Sequence, residues 1–538
     1  LLQLHTKEIE STARQIQRHF GAPQDIEFAV ESGTVYFLQS RPITRIAFAA
    51  DVGEWTNADF RDGGVSSGVC TPLMWSVYDF VWDHTLKDCL RELKLFDTDF
   101  PAGRMFFGRP YWNLGAVKSA LEKLPGFVER EFDEDLSVQI NYEGDGRCTP
   151  CTPWRVLQAI PTLLGMKSFF RRQEARAEQL LAGGFDRLEQ HDQSPPTTVE
   201  STFRNLVERD YFHMEGNYFR TIFAASLAKL DFMSSFPEAD YGSLVAALPP
   251  LRHMAPVRAV QEISHRTDER LAEVVTKYRH HCRLGLDVLF PRWDEDQTFV
   301  LRMLRSLPAS GGEDPRPAYE AARTTALSRL PRWKRGSFNR KLDRLRRFVW
   351  LREELRDLSS RLYYLIRRHV LDISQRRGLG EDIFFTTFRE IFADDRSNIQ
   401  RNREVYDSFR HFKAPNEIGK RYHRERRSRP GGLTGIGASP GCIVGIAHVA
   451  QNVEEAAEMQ TGRILVCPFT DPGWTPVLDR AAGVVTENGG LLSHAAILCR
   501  EYGIPAVLGV EDATRETRHG KTIVIHGGEG RVEFTSIE

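Results

Sequence analysis

The chain has 538 residues, which is enough for three or four domains of ordinary size. It carries 72 lysines and arginines against 73 aspartates and glutamates, so its formal net charge is −1. A charge this close to zero argues against a general nucleic-acid-binding protein or a membrane-surface protein. No apolar run approaches the roughly 20 residues that a bilayer-spanning helix needs, and no signal peptide is visible.

The eight cysteines are scattered along the chain. Cys148 and Cys151 form a CxxC pair, but no second pair completes the four ligands of a structural zinc site. This usage favours free thiols in a cytoplasmic protein. The chain also begins at a leucine inside a predicted helix, so we expect its natural N-terminus to be missing.

Residues 1–45 predict one helix followed by two strands, "DIEFAV" and "VYFLQS", which a Glu-Ser-Gly turn joins. Alternation along the two strands should let Glu27, Gln39 and Arg41 converge on one cleft. A carboxylate is a suitable ligand for Mg²⁺, and glutamine and arginine side chains hydrogen-bond phosphate oxygens. The alternative is a plain hairpin with one polar face turned to solvent.

Residues 50–425 are rich in arginine, leucine and phenylalanine, and helical patterns dominate them. The longest predicted helix begins near Ser337 and stops at Gly378. Arg352 and Arg356 lie four residues apart on it and therefore share one face, where two like charges repel by a few tenths of a kcal/mol. An incoming phosphoryl group would relieve that repulsion. The alternative is that both arginines pair with nearby acids such as Glu353.

The breakers in "RSRPGGLTG" predict a linker over residues 426–432. Beyond it, short strands alternate with one or two helices. Two strings there are decoys: "GIGASPG" lacks the glycine spacing of a dinucleotide fingerprint, and "GKT" lacks the earlier glycine of a phosphate loop. We expect Thr470, Asp471 and Thr475 to shape a strand-to-helix turn.

The stretch "NGGLLSHAAILCREYGIP" places a histidine at a helix start. Gly489 and Gly490 allow a tight turn, Ser493 is a good N-cap for a helix beginning at His494, and Gly503 can end that helix. The positive end of the helix dipole disfavours a cation and favours an anion. We therefore predict a neutral imidazole with a free ring nitrogen and a phosphate-holding helix start around it. A plain cap or a solvated side chain is the alternative.

The string "GGLLSHAAILCREYGIPAV" resembles the active-site motif of the phosphohistidine, or swivelling, domain of the PEP-utilizing enzymes, such as PEP synthase and pyruvate phosphate dikinase. The resemblance implies that His494 is the phosphorylated residue. "PQDIEFAVESGTVYFLQSRPIT" resembles the end of the ATP-grasp nucleotide-binding domain of the same enzymes. This implies ATP and Mg²⁺ as cofactors, Glu27 as a metal ligand, and Gln39 and Arg41 as triphosphate contacts, with most of the ATP-grasp domain missing upstream.

The domain order, with the histidine domain last, resembles the rifampin phosphotransferases. "CTPLMWS", "YRHHCRLGLDVLFPRWDED" and "EDIFFTTFREI" are similar to segments of that family. The resemblance implies that Arg352 and Arg356 face the histidine as catalytic residues, although the second position is lysine in those enzymes. Gly285 stands where the family usually has glutamate, which puts rifampin itself in doubt as the acceptor.

The expected fold is multidomain α and α/β. It comprises the end of an ATP-grasp domain (1–45), a large, mainly α-helical acceptor-substrate domain (50–425), the hinge, and a C-terminal swivelling β/β/α phosphohistidine domain (433–538). The resemblance implies an ATP-dependent, dikinase-type phosphotransferase that acts through phospho-His494 on a hydroxyl of a small organic acceptor, an antibiotic among the candidates, with AMP and phosphate as co-products.

Three alternatives stay open at this point. The acceptor could be that of a phenylphosphate synthase-like enzyme or of a biosynthetic enzyme similar to PEP synthase. In a different class of function, the chain could be a non-catalytic phosphocarrier subunit served by a separate ATP-grasp chain. We expect neither a nucleic-acid nor a membrane partner.

Overall fold

The computed structural model describes residues 2–43, 46, 48–62, 64–95, 99–138, 140, 142–193, 199–308, 314–422 and 432–535. Its first segment forms helix α1 (Leu2–Phe20) and an antiparallel hairpin of β1 (Gln24–Glu31) and β2 (Thr34–Pro42). Both the helix and the hairpin are as the sequence predicts. Helix α1 packs on the middle region, since Arg18 forms an ion pair with Glu404 at 2.7 Å.

The middle region is mainly helical, as predicted. Its helices are α2 (Pro72–Glu92), α3 (Leu114–Leu121), α4 (Glu129–Asp135), α5 (Pro153–Gln193), α6 (Val199–Asn205), α7 (Phe212–Ser235), α8 (Tyr241–Leu244), α9 (Ala255–Gln261), α10 (Asp268–Lys277), α11 (Gln297–Arg305), α12 (Arg316–Arg329), α13 (Arg332–Arg377), α14 (Phe388–Ala393) and α15 (Ile399–Asp407). Short 3₁₀ or π helices connect several of them, including a 3₁₀ helix over Arg252–Met254.

Helix α13 is the central element of this region, with α5 and α7 packed along it. It ends as the sequence predicts, because Gly378 takes the left-handed conformation (φ 64°, ψ 33°) that stops a helix. Between Leu342 and Ile366 its apolar side chains are buried on several sides, so the charged residues of the same stretch are buried with them. These are Arg352, Glu353, Glu354, Arg356 and Asp357. Buried charges are costly unless they have partners, which makes this run the most constrained part of the helix.

A small antiparallel sheet, which the sequence did not predict, joins the two ends of the middle region. Its strands are β3 (Trp55–Thr56), β4 (Gly103–Phe106), β5 (Arg109–Asn113) and β6 (Glu417–Ile418), in the order β4-β5-β3-β6. Strands β3 and β6 have two residues each, too few for alternation of polar and apolar side chains to be detected.

The C-terminal region is α/β. Its strands are β7 (Leu433–Thr434), β8 (Ile436–Ser439), β9 (Cys442–Val449), β10 (Ile464–Cys467), β11 (Gly483–Thr486), β12 (Ala506–Leu508), β13 (Thr522–His526) and β14 (Arg531–Phe534). They form one mixed sheet in the order β7-β14-β13-β9-β10-β11-β12-β8, in which β9 to β12 run parallel. The mixed helical and α/β fold class is thus confirmed.

Four helices accompany this sheet, so the expectation of one or two was wrong. They are α16 (Val453–Ala457), α17 (Thr475–Leu478), α18 (His494–Glu501) and α19 (Ala513–Glu516). Three of them have only four or five residues, too few to show helical periodicity in the sequence.

The predicted hinge, residues 426–432, lies outside the described residues except for Gly432. Tyr422 is the last described residue of the middle region. Within the described ranges, no helix is both long enough and apolar enough to cross a membrane.

A buried ionic cluster holds the last described turn of the middle region. Lys118 on α3 is fully buried, and its Nζ donates to Glu129 at 3.0 Å, to Asp133 at 2.7 Å and to the hydroxyl of Tyr422 at 2.9 Å. Arg421 adds a contact of 2.8 Å to Glu129. The cluster therefore ties α3 and α4 to the segment that leads toward the C-terminal region.

We predict that Lys118→Met destabilises the middle region by about 3–5 kcal/mol, because it leaves the buried carboxylate of Asp133 without its cation and removes one of the cationic partners of Glu129. Urea denaturation monitored by circular dichroism measures this loss. Lys413→Met is the matched control, since Lys413 also pairs with two acids but its side chain is 66% exposed. The control should lose less than about 1 kcal/mol, and equal losses in both variants would contradict the prediction.

Candidate transfer site

The local structure around His494 is the one that the sequence predicts. The Ser493 side chain caps helix α18 by accepting a hydrogen bond from the backbone N–H of Ala496 at 3.2 Å. Gly489 takes a positive φ of 121° in the preceding turn, and Gly503 takes 65° just after the helix. The cap and the two glycines fix the histidine as the first residue of α18.

The C-terminal region lies against the middle region, and His494 is in the contact between them. Polar contacts join the two regions. They run from Gly285 N–H to Asp471 at 2.7 Å, from Arg480 to Ser306 at 2.8 Å, from Gln261 to Asp479 at 2.9 Å, and from Leu248 N–H to Glu501 at 3.0 Å. As a result His494, the first residue of α18, is completely buried.

Glu353 is the direct partner of the histidine. Its Oε2 lies 3.0 Å from Nδ1 of His494, and both side chains are fully buried. The other ring nitrogen, Nε2, has no hydrogen-bond partner among the described residues. When Nδ1 donates to a carboxylate, Nε2 carries the lone pair, so the free nucleophilic nitrogen is Nε2. The sequence predicts Glu353 only as a possible partner for the arginines and carries no signal for its bond to His494.

Burial determines the protonation states of this pair. Burial lowers the pKa of His494 below its ordinary value, although the hydrogen bond and the negative charge of Glu353 act in the opposite direction. Burial alone would raise the pKa of Glu353, but the hydrogen bond from His494 and the nearby positive charges hold it well below its usual range. A neutral imidazole facing an ionised carboxylate follows, which agrees with the neutral ring that the helix start predicts.

Arg352 and Arg356 both face the histidine. The guanidinium of Arg352 donates to the carbonyl of Leu492, two residues before His494. Arg356 lies one turn further along α13, and two of its nitrogens, Nε and Nη2, are buried without a hydrogen-bond partner. The positive charges of both arginines act to lower the pKa of His494. The structure therefore does not show the two arginines satisfied by acids on a solvated surface.

His253, which the sequence analysis missed, completes the surroundings of the ring. It is buried, its ring centroid lies 4.7 Å from that of His494, and its Nδ1 is 3.6 Å from Oε2 of Glu353. Neither of its nitrogens has a hydrogen-bond partner. An isolated "RHM" in a short turn carries no pattern that could have identified it.

The glycine-rich turn borders a small cleft beside the histidine. Gly489 and Gly490 line it together with Asp59, Arg61, Asp62 and Leu136. Burial raises the pKa of Asp62 to about 6, while Arg356 and Arg352 act to lower it. The turn thus lies next to a carboxyl group that is within electrostatic reach of both arginines.

Two of the three residues expected to shape the strand-to-helix turn, Asp471 and Thr475, do so, whereas the buried hydroxyl of Thr470 makes no hydrogen bond among the described residues. Asp471 accepts from the backbone N–H of Gly473 at 2.8 Å as well as from Gly285, and Thr475 donates to the carbonyl of Pro472 at 2.8 Å. The side chain of Asp471 therefore caps its own turn and also holds the middle region.

The structure does not bring the predicted nucleotide residues to His494. Glu27 and Gln39 are register partners across the hairpin, and with Arg41 they lie on its exposed face. Arg41 forms ion pairs with Asp25 at 2.9 Å and Glu27 at 3.8 Å. This face offers the carboxylates and phosphate-binding donors that Mg²⁺ and ATP require, so the residues fit that role.

The chain matches three known families over separate ranges. Residues 459–530 match the PEP-utilising enzyme, mobile domain, and residues 1–58 match the pyruvate phosphate dikinase AMP/ATP-binding domain. The resemblance to PEP-utilising enzymes is confirmed. Residues 245–353 match the rifampicin (rifampin) phosphotransferase fourth domain, a range that contains both His253 and Glu353.

Two relatives align with nearly the whole of this chain. Rifampicin phosphotransferase of Bacillus subtilis is 24% identical over 98% of this chain and 68% of its own length. The prodigiosin synthesizing transferase PigC of Serratia marcescens is 23% identical over 98% of this chain and 70% of its own. Phosphoenolpyruvate synthase of Aeropyrum pernix is 46% identical, but over 19% of this chain and 12% of its own.

Among solved structures, an NMR solution structure of the Enzyme I (nEIt) protein is 14% identical and covers 51% of this chain and 82% of its own. Its TM-score of 0.17 is too low to support any argument.

The buried histidines predict a specific pH dependence of stability. Burial, with the neighbouring His494, lowers the pKa of His253 from 6.5 to about 3. Because this folded-state pKa lies below the unfolded one, only the unfolded chain takes up this proton as the pH falls below 6.5, and stability is lost. Between about pH 7.5 and about pH 5 we predict that the wild type loses about 2 kcal/mol more than His253→Asn. Urea unfolding at both pH values measures the difference, and parallel losses would contradict it.

Proposed function

We propose that the chain is the phosphocarrier and acceptor part of an ATP-dependent phosphotransferase. The β-phosphate of ATP passes through Nε2 of His494 to a hydroxyl of a small organic acceptor, with AMP and phosphate as co-products. The observation that carries this proposal is a buried Nε2 without a partner, on the histidine whose other nitrogen is held by Glu353. The domain matches and the transferases among the relatives support it.

The hydrogen-bonded pair suits the transfer step. Phosphorylation takes place away from Glu353: Nε2 bonds to the β-phosphorus of ATP, the bond from that phosphorus to the oxygen of AMP breaks, and water releases the γ-phosphate. The phosphorylated ring keeps its Nδ1 proton and carries a positive charge, which the Glu353 carboxylate, 3.0 Å from Nδ1 in the docked arrangement, compensates. In the transfer step the acceptor oxygen bonds to phosphorus and the P–N bond breaks. Its electron pair returns to Nε2, the ring becomes neutral, and the hydroxyl proton leaves to solvent or a neighbouring base.

The arginines supply the charge that a travelling phosphoryl group needs. Arg356 has two unsatisfied nitrogens in a water-poor interior, where each charge-assisted hydrogen bond to phosphate is strong. Arg352 is held by the carbonyl of Leu492 and is therefore fixed relative to the histidine turn. The start of α18, with Gly489, Gly490 and Ser493, favours the same anion from the other side.

The nucleotide side of the reaction is assigned to the hairpin. Glu27 would hold Mg²⁺, and Gln39 and Arg41 would contact the triphosphate. When bound, the metal neutralises phosphate charge. His494 is buried against α13 in this arrangement, so phosphorylation requires the histidine domain to leave it, with residues 426–432 as the proposed hinge.

The choice among acceptors follows from the middle region. Rifampicin phosphotransferases match nearly the whole chain, whereas the PEP synthase match covers 19% of it. An antibiotic-like hydroxyl compound is therefore our first candidate, and phenylphosphate or PEP chemistry the second. A passive phosphocarrier would have no need for buried arginines beside the histidine. The cytoplasmic location expected from the scattered cysteines stays a prediction.

We predict that His494→Asn abolishes labelling of the protein. The assay supplies Mg²⁺, ATP labelled at the β-phosphate, and a complete ATP-binding domain, either joined to the chain or added separately. The wild type should acquire acid-labile, base-stable label at one site, and the variant none, because asparagine lacks the nucleophilic nitrogen. Transfer to an acceptor by His494→Asn at a comparable rate would rule out the phosphohistidine mechanism.

We predict that Arg356→Ala slows transfer from phospho-His494 to the acceptor by about 100- to 1,000-fold, because it removes donors aimed at the transferring group. Phosphorylation of His494 should be unchanged, since it takes place elsewhere. Arg356→Lys should recover part of the rate by restoring the charge. Arg376→Ala is the control, because Arg376 lies on the same helix but is exposed and pairs with Asp372.

The two half-reactions are measured separately, first as label on the protein and then as label released to acceptor. An equal loss in both after Arg356→Ala would point to a purely structural arginine.

A further inference from the structure

A second cluster of ligand-type side chains lies one helical turn beyond the transfer site. His280 and His281 follow helix α10, and Asp357 lies on α13, four residues after Glu353. One potential ligand atom from each lies within 4.8 Å of the others, and all three side chains are buried. None of these residues takes part in the proposed phosphotransfer.

The hydrogen bonds within the cluster leave one nitrogen unsatisfied. Nε2 of His280 is 3.2 Å from Oδ1 of Asp357, and Nε of Arg361 donates to Oδ2 of the same carboxylate at 3.1 Å. Nε2 of His281 is buried and has no hydrogen-bond partner. A buried polar atom without a partner destabilises the fold by about 1–3 kcal/mol. Nε2 of His281 therefore either carries this cost or serves as a ligand for a metal ion.

The protonation states are those that a metal ion needs. Burial lowers the pKa of both His280 and His281, so both rings are neutral near pH 7. Burial by itself would raise the pKa of Asp357, but the adjacent His280 and Arg361 hold it below its ordinary value. Two neutral imidazoles and one carboxylate are the donor set of many Zn²⁺ sites.

We infer that His280, His281 and Asp357 form a binding site for a divalent transition-metal ion of the Zn²⁺ class. Oδ1 of Asp357 would be the carboxylate ligand, while Arg361 holds Oδ2 and orients the group from outside the coordination sphere. Ligand atoms around tetrahedral zinc lie about 3.4 Å apart, so the ring of His281 must close on the ion by a small rotation.

The position of this site gives it a structural task. The residues that follow His281 form the surface on which the C-terminal region rests: Gly285 N–H bonds Asp471. The backbone at Gly473 is so close to Cys282 that a Cβ added at Gly473 would lie 1.9 Å from the Cys282 carbonyl oxygen. A metal joining His280 and His281 to α13 would fix this surface relative to Arg352 and Glu353.

Metal binding by the full chain tests the inference directly. We expect one equivalent of Co²⁺, used as a spectroscopic probe, to give the visible absorption of a low-symmetry site, and Zn²⁺ to displace it. The background carries Cys148→Ser and Cys151→Ser, because those two exposed thiols could bind metal themselves. His281→Gln should weaken Co²⁺ binding at least tenfold, and Arg361→Ala by on the order of 10- to 100-fold.

His253→Gln is the matched control, since His253, Glu353 and His494 form the other His and carboxylate cluster among the described residues. It should leave Co²⁺ affinity unchanged. Circular dichroism confirms that each variant is folded. No binding in the Cys148→Ser, Cys151→Ser background, or binding that His281→Gln leaves intact, would overturn the inference. So would binding that His253→Gln weakens as much as His281→Gln does, because the metal would then belong to the other cluster.

Discussion

The contact between Nδ1 of His494 and the carboxylate of Glu353 is the one on which the transfer site depends. Helix α13 carries six buried charged residues through the interior of the middle region, and Glu353 is the most deeply buried of them, with no exposed surface. A carboxylate in that position needs a donor, and the histidine of the C-terminal region supplies it. The same bond selects the tautomer that leaves Nε2 free. The same hydrogen bond thus stabilises the docked arrangement and determines which nitrogen of the histidine is free to react.

This arrangement limits how strongly the C-terminal region can bind to the middle region. If His494 collects its phosphoryl group at a nucleotide site, the docked contact must break in every cycle, and Glu353 must then lose its donor. His253 and Arg352 remain beside the carboxylate and can moderate that loss, since both lie close to it. Several of the surrounding contacts are single hydrogen bonds involving backbone groups, such as Gly285 to Asp471. Bonds of that kind contribute about 1 kcal/mol each and can be remade without side-chain rearrangement.

The parts of the structure that were predictable from the sequence are those with local signals. Ser493 and the flanking glycines gave the bounds of α18, Gly378 gave the end of α13, and strand alternation gave the N-terminal hairpin, because caps and periodicity act within a few residues. The site itself was only half predictable. Arg352 and His494 lie on recognisable motifs, whereas His253 and the pairing of Glu353 arise from contacts over 100 residues apart in sequence, which no local pattern encodes. Strands of two residues, such as β3, are too short to show any periodicity in the sequence.

Gly285 stands where the resemblance to the rifampin phosphotransferases predicts a glutamate. Its backbone is not in a conformation that demands glycine, and an added Cβ would meet only the hydroxyl of Ser360, at an ordinary contact distance of 3.8 Å. A side chain could therefore begin here without strain, so the loss of the family's glutamate is not forced by packing. What the position does supply is its N–H to Asp471, which any residue except proline would supply equally. Neither sterics nor hydrogen bonding therefore calls for glycine at this position, and the absence of the expected glutamate has no structural explanation.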